Sequence, residues 1–181
     1  GYYVISLDQR GHGASGGKIG LIDPDKEAKD ISAVIDWADK HLYIQRRNGD
    51  PRVGMIGESY GGAVQLMASV IDPRIDAIVP VTTWYDLNEA LLPNGVAKSD
   101  WAVFLGGVGY LFNPFHMDGR ITVPMAKEVL FDEEQPELRK LFANRSLSSH
   151  CSGDEKPHAD ALIIHGFRDT VFPMNQGLAM R

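Results

Sequence analysis

The chain has 181 residues, with 24 acidic against 18 basic side chains and a formal net charge of −6; 44% of it is hydrophobic and 23% charged. That is the balance of an ordinary globular domain long enough to bury one sizeable core, and it argues against a nucleic-acid partner, which needs a basic stripe to neutralise phosphates. The longest apolar stretch, 101–112, carries three glycines and is too short for a bilayer span of roughly 20 residues, so no transmembrane segment is expected.

Residues 2–7 are a short apolar run that reads as a strand and not as a signal peptide, so the chain is expected to open inside a folded domain. The loop that follows, Asp8-Gln9-Arg10-Gly11-His12-Gly13-Ala14-Ser15-Gly16, matches G-x-G-x-x-G. A dinucleotide site would require this loop to open a helix at once, so that a pyrophosphate meets the helix N-terminus. Here Gly17 and Gly20 prolong the loop, and the first helix signal is Asp23 as N-cap with Pro24 behind it. The nucleotide-binding reading is therefore the weaker one. Ala28, Ile31, Ile35, Ala38 and Leu42 fall on one face of that helix, and Asn48-Gly49-Asp50-Pro51 ends the segment as a turn.

The runs 52–56 and 75–81 are β-branched without strict alternation, as expected of parallel strands buried on both faces. Between them stand Gly57-Glu58-Ser59-Tyr60-Gly61-Gly62 and a helix over 61–71. A strand, then G-x-S-x-G, then a helix is the context that makes this motif informative. The tight turn exposes Ser59 Oγ, with Gly57 and Gly61 sparing it colliding side chains and Gly62 letting the helix approach the sheet. The backbone N–H of Tyr60, at the positive end of the helix, then faces any oxyanion formed on Ser59.

From 84 to 157 the pattern is helical and irregular, which reads as an insertion between two sheet strands. Trp101, Phe104 and Val108 recur at i, i+3 and i+7, either as internal packing or as the lining of a substrate pocket. The acidic run Asp132-Glu133-Glu134 reads as a solvated helix start. Cys151 has no partner for an intrachain disulfide; its surroundings, with Ser152, Gly153 and Asp154, read as a loop, so the adjacent His150 does not make it a nucleophile. A strand over 161–165 follows, then His165-Gly166-Phe167-Arg168-Asp169, then a helix beginning at Pro173. Ligands gather at the carboxyl ends of strands in open α/β sheets, so Ser59 and Asp169 are expected at one edge, with Asp169 placed to orient an imidazole. An Asx turn is the alternative reading of Asp169.

Taken together, "LDQRGHGASGG", "GESYGG", "AIVPVTTWYDL" and "LIIHGFRDTVFP" resemble the α/β-hydrolase superfamily, and within it the X-Pro dipeptidyl-peptidase and acyl esterase (cocaine esterase-like) family. The resemblance implies an α/β fold with a mostly parallel sheet, incomplete at both ends: hydrolase core over 1–83, helical cap over 84–157, core resumed over 158–181. It implies a serine hydrolase acting on a small ester or peptide substrate, X-Pro dipeptides included, with Ser59 as nucleophile, Asp169 as triad acid, Tyr60 N–H as one oxyanion donor, and no metal or organic cofactor. A plain carboxylesterase is the nearest alternative; a non-catalytic interaction module is the alternative of another kind. In that family the histidine follows the acid, and none lies between Asp169 and Arg181. A second oxyanion donor, often a tyrosine hydroxyl from an earlier strand, is likewise not supplied. Of the six histidines, His165 and His12 lie nearest the expected edge, His41 ends a helix, His116 belongs to the insertion, and His150 and His158 lie in polar loop. The expected base is a histidine outside this segment.

Overall fold

The computed structural model describes residues 1–113, 115–151 and 156–181, with Phe112 described by its backbone only; the loop reading for 152–154 falls outside these residues. Helices are α1 (Glu27–His41), α2 (Tyr60–Ile71), α3 (Leu87–Leu91), α4 (Ser99–Phe112), α5 (Gly119–Phe131), α6 (Pro136–Asn144) and α7 (Met174–Ala179). Strands are β1 (Arg46–Arg47), β2 (Asp50–Pro51), β3 (Val53–Glu58), β4 (Ile75–Val81) and β5 (Asp160–Ala161).

The sheet has the order β3-β4-β5 with both pairs parallel. Parallel neighbours need a crossover, and α2 supplies it between β3 and β4, packing on both. The fourth sequence strand pairs over only two residues, yet its line continues: Leu162 N donates to Ile78 O, Ile164 N to Pro80 O and Thr82 N to Ile164 O, at 3.0, 3.0 and 2.7 Å. The Asn48-Gly49 turn closes a small antiparallel hairpin of β1 and β2, with both turn residues at positive φ (53° and 89°) as a two-residue hairpin requires.

Three expectations are corrected. Residues 2–7 have no strand partner among the described residues, and Tyr2, Tyr3, Val4, Ile5 and Leu7 are exposed. An apolar run becomes a strand only when a neighbour takes its backbone hydrogen bonds. Strand β3 is not buried on both faces: Val53 and Met55 turn toward the core, whereas Ile56 is 77% exposed. Asp132 is the left-handed C-cap of α5, and Glu133 and Glu134 link to α6, so the acidic run is solvated but ends one helix instead of starting the next.

Helix α1 buries Ala28, Ile31, Ile35 and Ala38 as its spacing demands, and Glu27 with them. Its regular part begins at Glu27 because Lys26 (φ −129°, ψ −82°) leaves helical space; Asp23 instead closes the preceding turn, accepting from Asp25 N at 3.0 Å through Oδ1. The helices between β4 and β5 share the central core: Leu87, Ala90, Ile121, Leu138 and Phe142 pack in one cluster with Val64, Leu66, Met67 and Ile78. Helix α4 is the exception, with no fully buried side chain among those described. No helix among the described residues is long and apolar enough to cross a membrane.

Candidate active site

Ser59 sits at φ 53°, ψ −114° between β3 and the first residue of α2. A non-glycine residue rarely adopts positive φ, and such strain persists only where the surroundings enforce it. Several contacts do so. Ser59 N donates to Val81 O at 2.9 Å, and Thr83 Oγ1 donates to Ser59 O at 2.8 Å. The buried Gln65 amide donates to the carbonyls of Gly57 (3.2 Å) and Gly61 (3.0 Å) while its Oε1 accepts from Val79 N (2.9 Å). That side chain fastens both flanks of the turn to the sheet. A Cβ on Gly57 would lie 2.7 Å from Gly61 O, and one on Gly62 would lie 2.8 Å from Thr83 Cβ. A Cβ on Gly61 would meet nothing within 4 Å. The close approach at the turn thus depends on Gly57 and Gly62; the collision expected at Gly61 is absent, because a side chain there would point into open space.

Ser59 follows β3, and Asp169 follows the line of β5, two strand positions away on the same carboxyl edge. Asp169 Oδ1 accepts from Val171 N (2.8 Å) and Phe172 N (2.9 Å), so the Asx turn is real. Its Oδ2 takes no part in that turn. The Asx turn uses one carboxylate oxygen only and so does not exclude a second role for Asp169. Lys98, the residue before α4, donates from Nζ to Thr170 O and Val171 O, both at 3.0 Å. Burial lowers its pKa while Asp169 opposes the shift. The start of α4 is thereby pinned to the loop that holds Asp169. Trp101 lies about one turn further on, half-buried, with its ring 5.7 Å from that of Phe104; Phe104 and Val108 are exposed.

Behind Ser59 lies a polar cluster that sequence reasoning did not find. The Tyr60 hydroxyl donates to Glu27 Oε1 (3.1 Å) and accepts from Ile22 N (3.3 Å). Glu27 is fully buried and also accepts from Gly20 N (2.5 Å, Oε1) and Asp23 N (3.1 Å, Oε2). Arg145, at the end of α6, pairs with Asp23 Oδ2 at 2.7 Å and donates from Nε to Gly20 O at 3.0 Å. Burial, with the charge of Glu27 next, raises the Tyr60 pKa, so the phenol stays protonated. The signal for Glu27 was a carboxylate in register with Ile31 and Ile35 on an apolar stripe; for Arg145 and Gln65 no local pattern exists.

Four of the six imidazoles bond backbone carbonyls. His165 Nε2–H donates to Phe172 O at 2.7 Å, its ring packed where a Cβ on Gly177 would stand; His12 Nδ1–H donates to Arg10 O at 3.3 Å beside the Tyr60 ring. His116 donates to Gly11 O and His150 to Asn144 O. His41 ends α1 against Trp37, and at His158 it is the backbone N–H, not the ring, that donates to Ser69 O. Among the described residues none bonds Ser59 Oγ or Asp169. Burial raises the Cys151 thiol pKa, the wrong direction for a nucleophile. The glycine loop opens no helix: Gly11 N closes on Gly16 O at 2.9 Å, Gly11 is held at φ 79° against Ile19, and α1 begins only at Glu27. A pyrophosphate would find no helix end there. The cleft of about 670 Å³ between residues 1–7, α1 and the first halves of β3 and β4 contains neither Ser59 nor Asp169.

A parallel α/β sheet carrying a strained serine on a strand–turn–helix is compatible with an α/β hydrolase. The chain belongs to the X-Pro dipeptidyl-peptidase (S15) family, whose profile matches residues 1–180. Two Escherichia coli proteins, each named as an uncharacterized 31.7 kDa protein of the traX-finO intergenic region, are 30% identical over 200 aligned positions, covering 99% of this chain and 67% of theirs. An uncharacterized Pseudomonas aeruginosa protein is 29% identical over 92 positions, half of this chain and 24% of its own. The family makes a hydrolase the functional class.

Proposed function

We propose that Ser59 is the nucleophile of a serine hydrolase cleaving esters or peptides, X-Pro dipeptidyl bonds included. The observation that carries this reading is the positive φ of Ser59 at the mouth of α2, a strain that exposes a hydroxyl beside a helix N-terminus. Ser59 Oγ bonds to the substrate carbonyl carbon as an imidazole takes its proton; the Tyr60 N–H donates to the oxyanion. The C–O or C–N bond then breaks, the leaving group carries that proton away, and water releases the acyl group from Ser59. Asp169 orients the imidazole through Oδ2. The base is a histidine from outside the 181 residues, a reading supported by the engagement of four of the six imidazoles here with backbone carbonyls. The helices over 84–157 act as a cap, and Trp101, Phe104 and Val108 line the acyl or leaving-group pocket; the tie from Lys98 to the acid loop supports that placement.

The test uses protein expressed from its full reading frame. A fluorophosphonate should label Ser59 alone, and Ser59→Ala should abolish labelling and turnover. Labelling that persists in the variant refutes the assignment. Relative turnover of an X-Pro nitroanilide and p-nitrophenyl acetate separates the dipeptidyl-peptidase from the plain carboxylesterase.

A further inference from the structure

Resting on that serine reading, we infer that Glu27 is a positioning residue for the oxyanion donor, acting through the Tyr60 hydroxyl. Tyr60 has two jobs at opposite ends. Its backbone N–H is the first of α2, adjoining the strained Ser59 peptide, while its hydroxyl reaches down to Glu27 and Ile22 N. The ring between them touches His12 (5.1 Å) and Trp84 (6.3 Å). Fixing the far end of a rigid aromatic side chain restricts how its own peptide can tilt.

Glu27 suits this task because its hydrogen-bond partners among the described residues are all donors. Gly20 N, Asp23 N and the Tyr60 hydroxyl all donate to its two oxygens, and among the described residues no cation is paired with it directly. A buried carboxylate is costly unless its lone pairs are met by hydrogen bonds, and a structural need for an apolar contact here would be met by leucine. A Cβ on Gly20 would lie 2.8 Å from Glu27 Oε1, so the loop backbone is fitted to the carboxylate itself. The oxyanion donor must lie within hydrogen-bond range of an atom that becomes charged only in the transition state. Loosening Tyr60 therefore lowers kcat and leaves ground-state binding alone.

The test compares Tyr60→Phe, Glu27→Gln and the double variant, expressed from the full reading frame, by kcat and KM on a p-nitrophenyl ester, with thermal unfolding to confirm folding. Tyr60→Phe keeps the ring and removes only the hydroxyl. The expected result is a fall in kcat of about tenfold or more with KM within about twofold, since one oxyanion donor is worth roughly 10²–10³ in rate and is here misaligned, not deleted. The double variant should be no slower than the slower single one. Wild-type kcat in Tyr60→Phe, or kcat losses in the two single variants that multiply in the double, overturns the inference even if Ser59 is labelled normally. Should Glu27→Gln fail to fold, Tyr60→Phe alone decides. Absence of fluorophosphonate labelling in the wild type overturns the serine reading instead, and this inference with it.

Discussion

Replacing Gly57 by alanine puts a methyl carbon 2.7 Å from Gly61 O, 2.8 Å from Gly61 C and 3.0 Å from Gly61 Cα. Ordinary contact begins near 3.4 Å, so the first turn of α2 must retreat by roughly 0.7 Å, because the clashing atoms are backbone and cannot rotate away. Gln65, which holds the carbonyls of both glycines, resists that retreat. Overpacking of this kind costs about 1–3 kcal/mol; at roughly 2–4 °C per kcal/mol for a chain of this size, Tm should fall by about 2–12 °C. The Tyr60 N–H moves with the turn, and since a misplacement of about 1 Å costs on the order of 10² in rate, fluorophosphonate labelling should slow by roughly 10- to 100-fold. Gly61→Ala is the contrasting variant. Its Cβ meets nothing within 4 Å, and alanine favours a helix over glycine by about 0.5–1 kcal/mol, so Tm should hold or rise. Thermal unfolding by circular dichroism and the labelling rate are the two measurements. Equal damage from both substitutions, or none from Gly57→Ala, would refute the reasoning.

Asp169→Asn keeps an oxygen for Val171 N and Phe172 N, so the loop should survive with unchanged Tm while kcat falls by roughly 10⁴, as when a triad acid loses its charge; near-normal turnover would place the acid elsewhere. Trp101→Ala should alter the ratio of kcat/KM between short and bulky acyl esters without unfolding the protein, whereas an equal loss on all esters would favour a packing role. Hydrogen bonds from Arg74 hold the Asp72 carboxyl down at about 2 from 3.8. This ion pair therefore stabilises the fold fully above pH 4 and loses its contribution as pH falls from about 4 to about 2, roughly 1–2 kcal/mol in all. Acid unfolding of Asp72→Asn should lack that component, and an unchanged pH profile would count against it.

Some of the site was readable before any coordinates because its causes are local. The turn at Ser59 was legible since a strand, an elbow and a helix are adjacent in sequence, and the face of α1 since its apolar side chains recur every three or four residues. Asp169 was legible only as a residue at a strand end; that one oxygen builds the loop while the other stays out of it is a matter of geometry. Residues 2–7 misled because strand propensity says nothing about whether a neighbour accepts the ladder. Ile56 misled likewise, its β-branched side chain being equally at home on an open face. Gln65, Lys98 and Arg145 were invisible for a common reason. Each is a long polar side chain, ordinary on a surface, whose function comes from a carbonyl far away in sequence or hidden in a turn.

The pairing of Arg145 with Asp23 and Gly20 O joins residues 122 and 125 positions apart, and this has a consequence for the order of folding. Contacts between β3, α2 and β4 close over a few tens of residues and can form early, so the Ser59 turn is assembled from near neighbours. Asp23 must wait for its partner. At synthesis rates of about 5–20 residues per second, some 6–24 s separate the emergence of the two from the ribosome. Only in the later part of that interval, once Val81 and Thr83 have been made, can the Ser59 turn close, and it does so before Arg145 exists. The polar layer beneath Tyr60 is thus completed later than the Ser59 turn, set by how far apart in the chain two charges were placed.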